Sequence, residues 1–230
     1  MDALARADAL TAYAAETAGC VRCALSVTRS RVVFGSGDPD ADLMLVGEAP
    51  GYQEDQGGAP FAGPAGELLE RLLMGIGLHR DGVYLANVLK CRPPQNRDPL
   101  ESEIASCEPH LFRQVELVRP RVVATLGNFA TKLLSGRPFG ITRVHGQEHE
   151  VAVGGTTVVL FPLYHPAAAL YTPSMLQVLE DDFSRLPALL ERESQLRSLP
   201  VPPRVVPVEE LARSVEDETL AVGATQLGLF

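Results

Sequence analysis

Three short apolar runs, residues 43–46, 83–86 and 121–126, are each parted from the next by a stretch of helical periodicity, and a fourth run follows at 158–163. The first helical stretch, residues 65–76, repeats Leu68, Leu69, Leu72 and Leu73. The second carries Ile104, Cys107, Leu111, Val115 and Val118 at the same spacing, which sets all five on one inward face. Strands that alternate with helices build a parallel sheet covered on both faces. Ahead of the second helix, Asp98 reads as the N-cap, Pro99 as the first helical residue and Glu101 as the partner in a capping box. An Ala-rich helix is expected over residues 2–18, stopped at Gly19. Residues 144–159, with Gly154-Gly155 inside them, read as a β-hairpin leading into the last strand. An amphipathic segment then runs from about Met175 to Leu196, interrupted at Pro187.

A chain of 230 residues with 46% hydrophobic and 21% charged side chains can build a core, which excludes global disorder. It has no apolar run near the roughly 18 residues of a membrane span. Its first residues lack the basic start and apolar stretch of a signal peptide, so a cytoplasmic location is expected. The net charge of −9 argues against a nonspecific polyanion binder but leaves room for a local basic groove. Two groups fit such a groove: Arg119, Arg121, Lys132, Arg137 and Arg143, with no acid among them, and Lys90, Arg92 and Arg97. Acids outnumber bases 10 to 5 over residues 171–230. The expected division is a folded domain over 1–197 and a flexible acidic tail over 198–230, with one short helix near 209–215.

The four cysteines are Cys20, Cys23, Cys91 and Cys107. In a cytoplasmic chain disulfides are disfavoured, and a C-x2-C pair with two further thiols suggests a metal site or a redox pair. Two thiolates three residues apart reach one metal centre from a single turn. The spacing does not separate zinc from an iron–sulfur cluster, since both accept four cysteines.

In open parallel sheets ligands bind beyond the carboxyl ends of the strands. There the sequence sets Gly47-Glu48-Ala49-Pro50-Gly51 after the first strand, Asn87 after the second and His165-Pro166 after the last. Phe61 follows in a Gly/Pro-rich loop. Singly, each residue has an ordinary structural reading. Together, an amide that reads an edge and a ring that stacks suit a planar heterocycle.

Gly47–Gly51, the run Pro60-Phe61-Ala62-Gly63-Pro64-Ala65-Gly66, the run from Asn87 to Pro94 and the run from His165 to Leu170 resemble the family 4 uracil-DNA glycosylases over roughly residues 15–190. The resemblance implies a three-layer α/β/α sandwich around a central four-stranded parallel sheet. It implies a 4Fe–4S cluster on Cys20, Cys23, Cys91 and Cys107, and a monomer acting on uracil-containing DNA in base excision repair. Such an enzyme extrudes uracil from the stack and hydrolyses its N-glycosidic bond. Carried over, Phe61 stacks on the uracil, Asn87 reads its polar edge, and Glu48, Ala49 and Pro50 line the pocket. His165 stabilises the negative charge on the departing base. Glu54 crowds the C5 position against thymine, Leu170 acts as a wedge in the duplex, and Arg92 and Arg97 contact phosphates.

The family 1 enzymes carry a water-activating Asp at the position of Ala49, so the expected site is mostly electrostatic with Glu48 as helper. Family 5 relatives have an apolar residue in place of Glu48. A variant that bonds covalently to its abasic product has a basic insertion before a His, and the run from Gly140 to His145 is too short for it. A noncatalytic DNA-binding protein with a structural or redox cluster is the alternative of another class. A phosphotransferase would need a Gly-rich phosphate loop, which is missing. The run Gln226-Leu227-Gly228-Leu229-Phe230 resembles the pentapeptide that binds the bacterial sliding clamp, with Gln226, Leu227, Leu229 and Phe230 as the anchoring side chains.

Overall fold

The structure, a computed structural model, describes residues 1–198. The expected tail, its short helix and the Gln226–Phe230 pentapeptide lie outside the described residues. In chain order the strands are β1 (Ser36–Gly37), β2 (Leu43–Gly47), β3 (Tyr84–Asn87), β4 (Val122–Leu126), β5 (His149–Val153) and β6 (Thr156–Leu163). The helices are α1 (Ala3–Thr17), α2 (Tyr52–Gly57), α3 (Pro64–Gly75), α4 (Glu101–Val118), α5 (Asn128–Ser135), α6 (Ile141–Val144), α7 (Pro166–Tyr171), α8 (Pro173–Phe183) and α9 (Leu186–Ser198).

One sheet runs β1-β3-β2-β4-β6-β5. Its inner four strands are parallel, as expected, and a short antiparallel strand closes each edge. The sheet therefore has six strands rather than four. β5 is the first arm of the expected hairpin, which turns at Gly154-Gly155 onto β6. β1 has only two residues, too few to carry a readable period.

Side chains alternate across the sheet, so Leu43 and Leu45 face one way while Met44 and Val46 face the other. The first face packs on Leu69 and Leu73 of α3, Leu179 and Phe183 of α8, and Leu186 and Leu189 of α9. The second packs on Leu10 of α1, Leu111 and Val115 of α4, and Ala130 and Leu134 of α5. Three layers result, with both sheet faces dry. Pro187 stands at the start of α9 rather than within a helix, where its missing N–H costs nothing.

The start of α4 differs from the expected one. Leu100, not Asp98, is the N-cap, and the Glu103 carboxylate, not Glu101, accepts the Leu100 N–H at 2.9 Å. Glu103 is buried against Arg97, so the cap forms where that ion pair holds it.

Candidate active site

β2 and β3 end side by side, with Gly47 in register with Asn87. A Cβ on Gly47 would collide with Asn87 Oδ1 and with the ring of Phe61, so glycine lets these two side chains close over the strand end. The buried Asn87 carboxamide has no hydrogen-bond partner among the described residues, and it lines the cleft. Its backbone carbonyl accepts from Lys90 Nζ at 2.7 Å.

Phe61 adopts a left-handed backbone, with φ of 55°, which costs an ordinary side chain about 1–2 kcal/mol. Two features hold it there. Gly66 leaves the Phe61 carbonyl a place that a Cβ would fill. The Arg80 guanidinium donates to the Phe61 and Pro60 carbonyls, 2.8 Å to each. The Phe61 ring then lies 6.1 Å from the His165 ring at an interplanar angle of 27°.

His165 follows β6 and caps α7, its Nδ1 accepting the Ala167 N–H at 3.1 Å. Burial pushes its pKa down to about 4, so near neutral pH the imidazole is uncharged. An accepting Nδ1 leaves the proton on Nε2, which is then a donor. Burial, with Asp98 nearby, pushes Glu48 up to about 7, so this carboxyl exchanges a proton near neutrality.

These groups line one cleft of about 630 Å³, within the range of small-molecule sites. Glu48, Ala49, Pro50, Glu54, Phe61, Asn87, Arg97, His165 and Leu170 all contribute to it. Glu54 also accepts the Gly51 N–H at 2.8 Å, capping α2. Tyr52, Asn96 and Tyr171 line the cleft as well. Tyr52 and Asn96 went unread in the sequence because no periodicity or motif marks a rim residue. Arg80 gave no signal either, since its partners are 19 and 20 residues away.

The second basic group does not form a common positive surface. Lys90 is fully buried, with Nζ bonded to Asn87 O and Gln114 Oε1, because β3 runs straight into the core beneath α4. Arg97 is bound at both terminal nitrogens by the Glu103 carboxylate. Arg92 lies over the Tyr52 ring, 5.2 Å from its centroid. His145 Nδ1 donates to Asp182 Oδ2 at 2.8 Å, and His145 is not part of the cleft lining.

All four cysteines are free thiols that border a single small cavity between α1, the start of β3's exit loop and α4. Cys91 and Cys107 are buried, and burial pushes the Cys91 thiol up to about 11. Arg29 and the Lys90 N–H point at Cys91 and Cys107 sulfurs, and His110 Nε2 lies 3.3 Å from Cys20 Sγ. Among the described residues no three His, Cys, Asp or Glu side chains converge on one ion. Four thiols around one cavity, with N–H donors aimed at the sulfurs, form a donor set that fits either a metal ion or an iron–sulfur cluster.

Fold and cleft together define an α/β protein with a ligand-sized cleft at the carboxyl ends of its parallel strands. The sequence model of the uracil DNA glycosylase superfamily matches residues 34–186. The type-4 uracil-DNA glycosylase of Sulfurisphaera tokodaii is 44% identical over 184 residues, 78% of this chain and 84% of that protein. That of Saccharolobus solfataricus is likewise 44% identical over 184 residues, 78% of this chain and 85% of its own. That of Archaeoglobus fulgidus is 43% identical over 175 residues, 74% of this chain and 88% of its own. The chain belongs to the uracil-DNA glycosylase superfamily, in its type-4 group.

Proposed function

We propose that this chain excises uracil from DNA by hydrolysing the N-glycosidic bond. The observation that carries this is the meeting of Glu48, Phe61, Asn87 and His165 in one cleft at the ends of β2, β3 and β6. The extruded uracil stacks on Phe61. Asn87 offers a donor and an acceptor on one planar group, matching the adjacent carbonyl and N–H of a uracil edge, and its amide is not committed elsewhere. A neutral His165 donates from Nε2 to the oxygen where charge collects as the bond to the base breaks. The bonding pair leaves with uracil, water oxygen bonds to the sugar carbon, and the proton that this water sheds balances the charge of the departing uracil.

Ala49 can activate nothing, so the water is served by Glu48, which accepts its hydrogen bond when ionised. Glu54 and Leu170, both on the cleft, bound the C5 side and fill the duplex gap. One chain supplies every group named here, which suits a monomer.

Cys20, Cys23, Cys91 and Cys107 would hold the 4Fe–4S cluster. Bound there, it supplies a structural cross-link between the segment after α1, the loop after β3 and α4. Gln226, Leu227, Leu229 and Phe230 would anchor the chain to the replication sliding clamp, a reading supported by the pentapeptide alone.

Incubation with a uracil-containing oligonucleotide is expected to yield free uracil and alkali-labile abasic sites. Tight binding of uracil-DNA without release of free uracil would refute the proposal.

A further inference from the structure

Two aromatic side chains among the described residues are exposed, Tyr52 at 61% and Tyr171 at 88%, and both line the cleft. They come from either side of β4. Tyr52 opens α2 after β2, Tyr171 ends α7 after β6, and β2 and β6 are the two neighbours of β4 in the sheet. Rings of this size ordinarily bury most of their area, and neither of these joins the hydrophobic core.

The Tyr52 ring is held in place. The Arg92 guanidinium lies over it, and Arg92 Nε donates to Asn96 Oδ1 at 2.7 Å. Asn96 and its neighbour Gln95 both take left-handed backbones, with φ of 54° and 56°. Strain of this kind persists where surrounding contacts demand the conformation. The result is an exposed ring with a cation at its back, on the lip of a cleft that takes one base.

A nucleotide extruded into the cleft leaves one neighbour on each side along the strand. In a duplex those neighbours stay stacked and paired. In a single strand their faces are free, and an aromatic ring is the surface that any base stacks on regardless of identity. Arg92 adds charge suited to the connecting phosphates.

We propose that Tyr52 and Tyr171 are stacking platforms for the unpaired bases flanking the target uracil, giving the cleft an affinity for single-stranded DNA that duplex DNA does not share. This rests on reading the cleft as the uracil site. Both rings are exposed, so replacing them leaves the core untouched.

The test measures KM for the same uracil-containing sequence as a single strand and as a duplex. Tyr52→Leu and Tyr171→Leu should each raise the single-strand KM about tenfold and the duplex KM about twofold at most. Tyr52→Phe and Tyr171→Phe, which keep the ring, should restore the single-strand KM. A 2-aminopurine placed beside the uracil should lose fluorescence on binding wild-type protein and keep it with the leucine variants. Equal shifts on both substrates, or phenylalanine variants as impaired as the leucine ones, would overturn the stacking proposal while uracil excision stands. Wild-type protein that excises uracil from neither substrate would overturn the reading of the cleft itself.

Discussion

Arg80 holds Phe61 by its backbone, donating one guanidinium hydrogen bond to the Phe61 carbonyl and another to that of Pro60. The ring proposed to stack on the base is thus positioned in part from the short helical turn ahead of β3. Arg80→Lys keeps the charge but loses the fork that spans two carbonyls. It is expected to weaken inhibition by free uracil about tenfold, close to the loss of one hydrogen bond from a charged donor. Thermal unfolding should fall by only a few degrees. A drop in melting temperature with unchanged uracil inhibition would make Arg80 merely structural.

Asn87→Ala is expected to lower kcat/KM on the order of 100-fold, the worth of two base-edge hydrogen bonds. Because the carboxamide has no partner within the described fold, truncation strands no buried group and the melting temperature should hold. Gly47→Ala should lose comparable activity and stability as well, since its Cβ displaces both Asn87 and Phe61. Circular dichroism melts beside the excision assay separate the two cases.

Glu48 sets a pH dependence. Its pKa of about 7 means the carboxyl is mostly protonated, and unable to accept from water, below that pH. Excision should therefore climb as pH rises through about 7, while His165 stays neutral throughout, its pKa being near 4. Glu48→Gln should flatten this profile at a lower rate. Stability should run the other way. A folded pKa above the unfolded 4.5 means the native state binds more protons between 4.5 and about 7, so folding loses stability across that window as pH rises. Glu48→Gln should melt higher than wild type at pH 8 and no higher at pH 4, as calorimetry would show.

Purified protein is expected to be brown, with iron and sulfide in equal amounts. Cys107→Ala should be colourless and melt at lower temperature, because α4 loses its tie to the segment after α1 and to the loop after β3. Stoichiometric zinc without sulfide, in protein purified anaerobically from iron-replete cells, would replace this assignment with a zinc one.

Deleting residues 226–230 should abolish binding to the sliding clamp and leave excision from short oligonucleotides unchanged. Clamp binding by the truncated chain, measured by surface plasmon resonance, would dismiss the pentapeptide.

The inner strands, the helices α3 and α4 between the first three of them and the Gly154-Gly155 hairpin were legible because strand and helix periods depend on neighbours a few residues apart, whereas the short α5 and α6 between β4 and the hairpin were not read. Parallel topology then brings the carboxyl ends of the four inner strands to one edge, so the sequence alone implies that Glu48, Asn87 and His165 meet. Other features depend on segments far apart in the chain, and only the packed molecule decided them. Lys90 reads as a surface cation beside Arg92, yet it lies in the core bonded to Gln114 of α4. Arg97 gives no local sign of its partner Glu103, which binds it and sets the start of α4. The fork of Arg80 on Phe61 has no local pattern at all. The protonation of Glu48 and His165 is likewise tertiary, because desolvation is set by what packs around a group rather than by what precedes it in the chain.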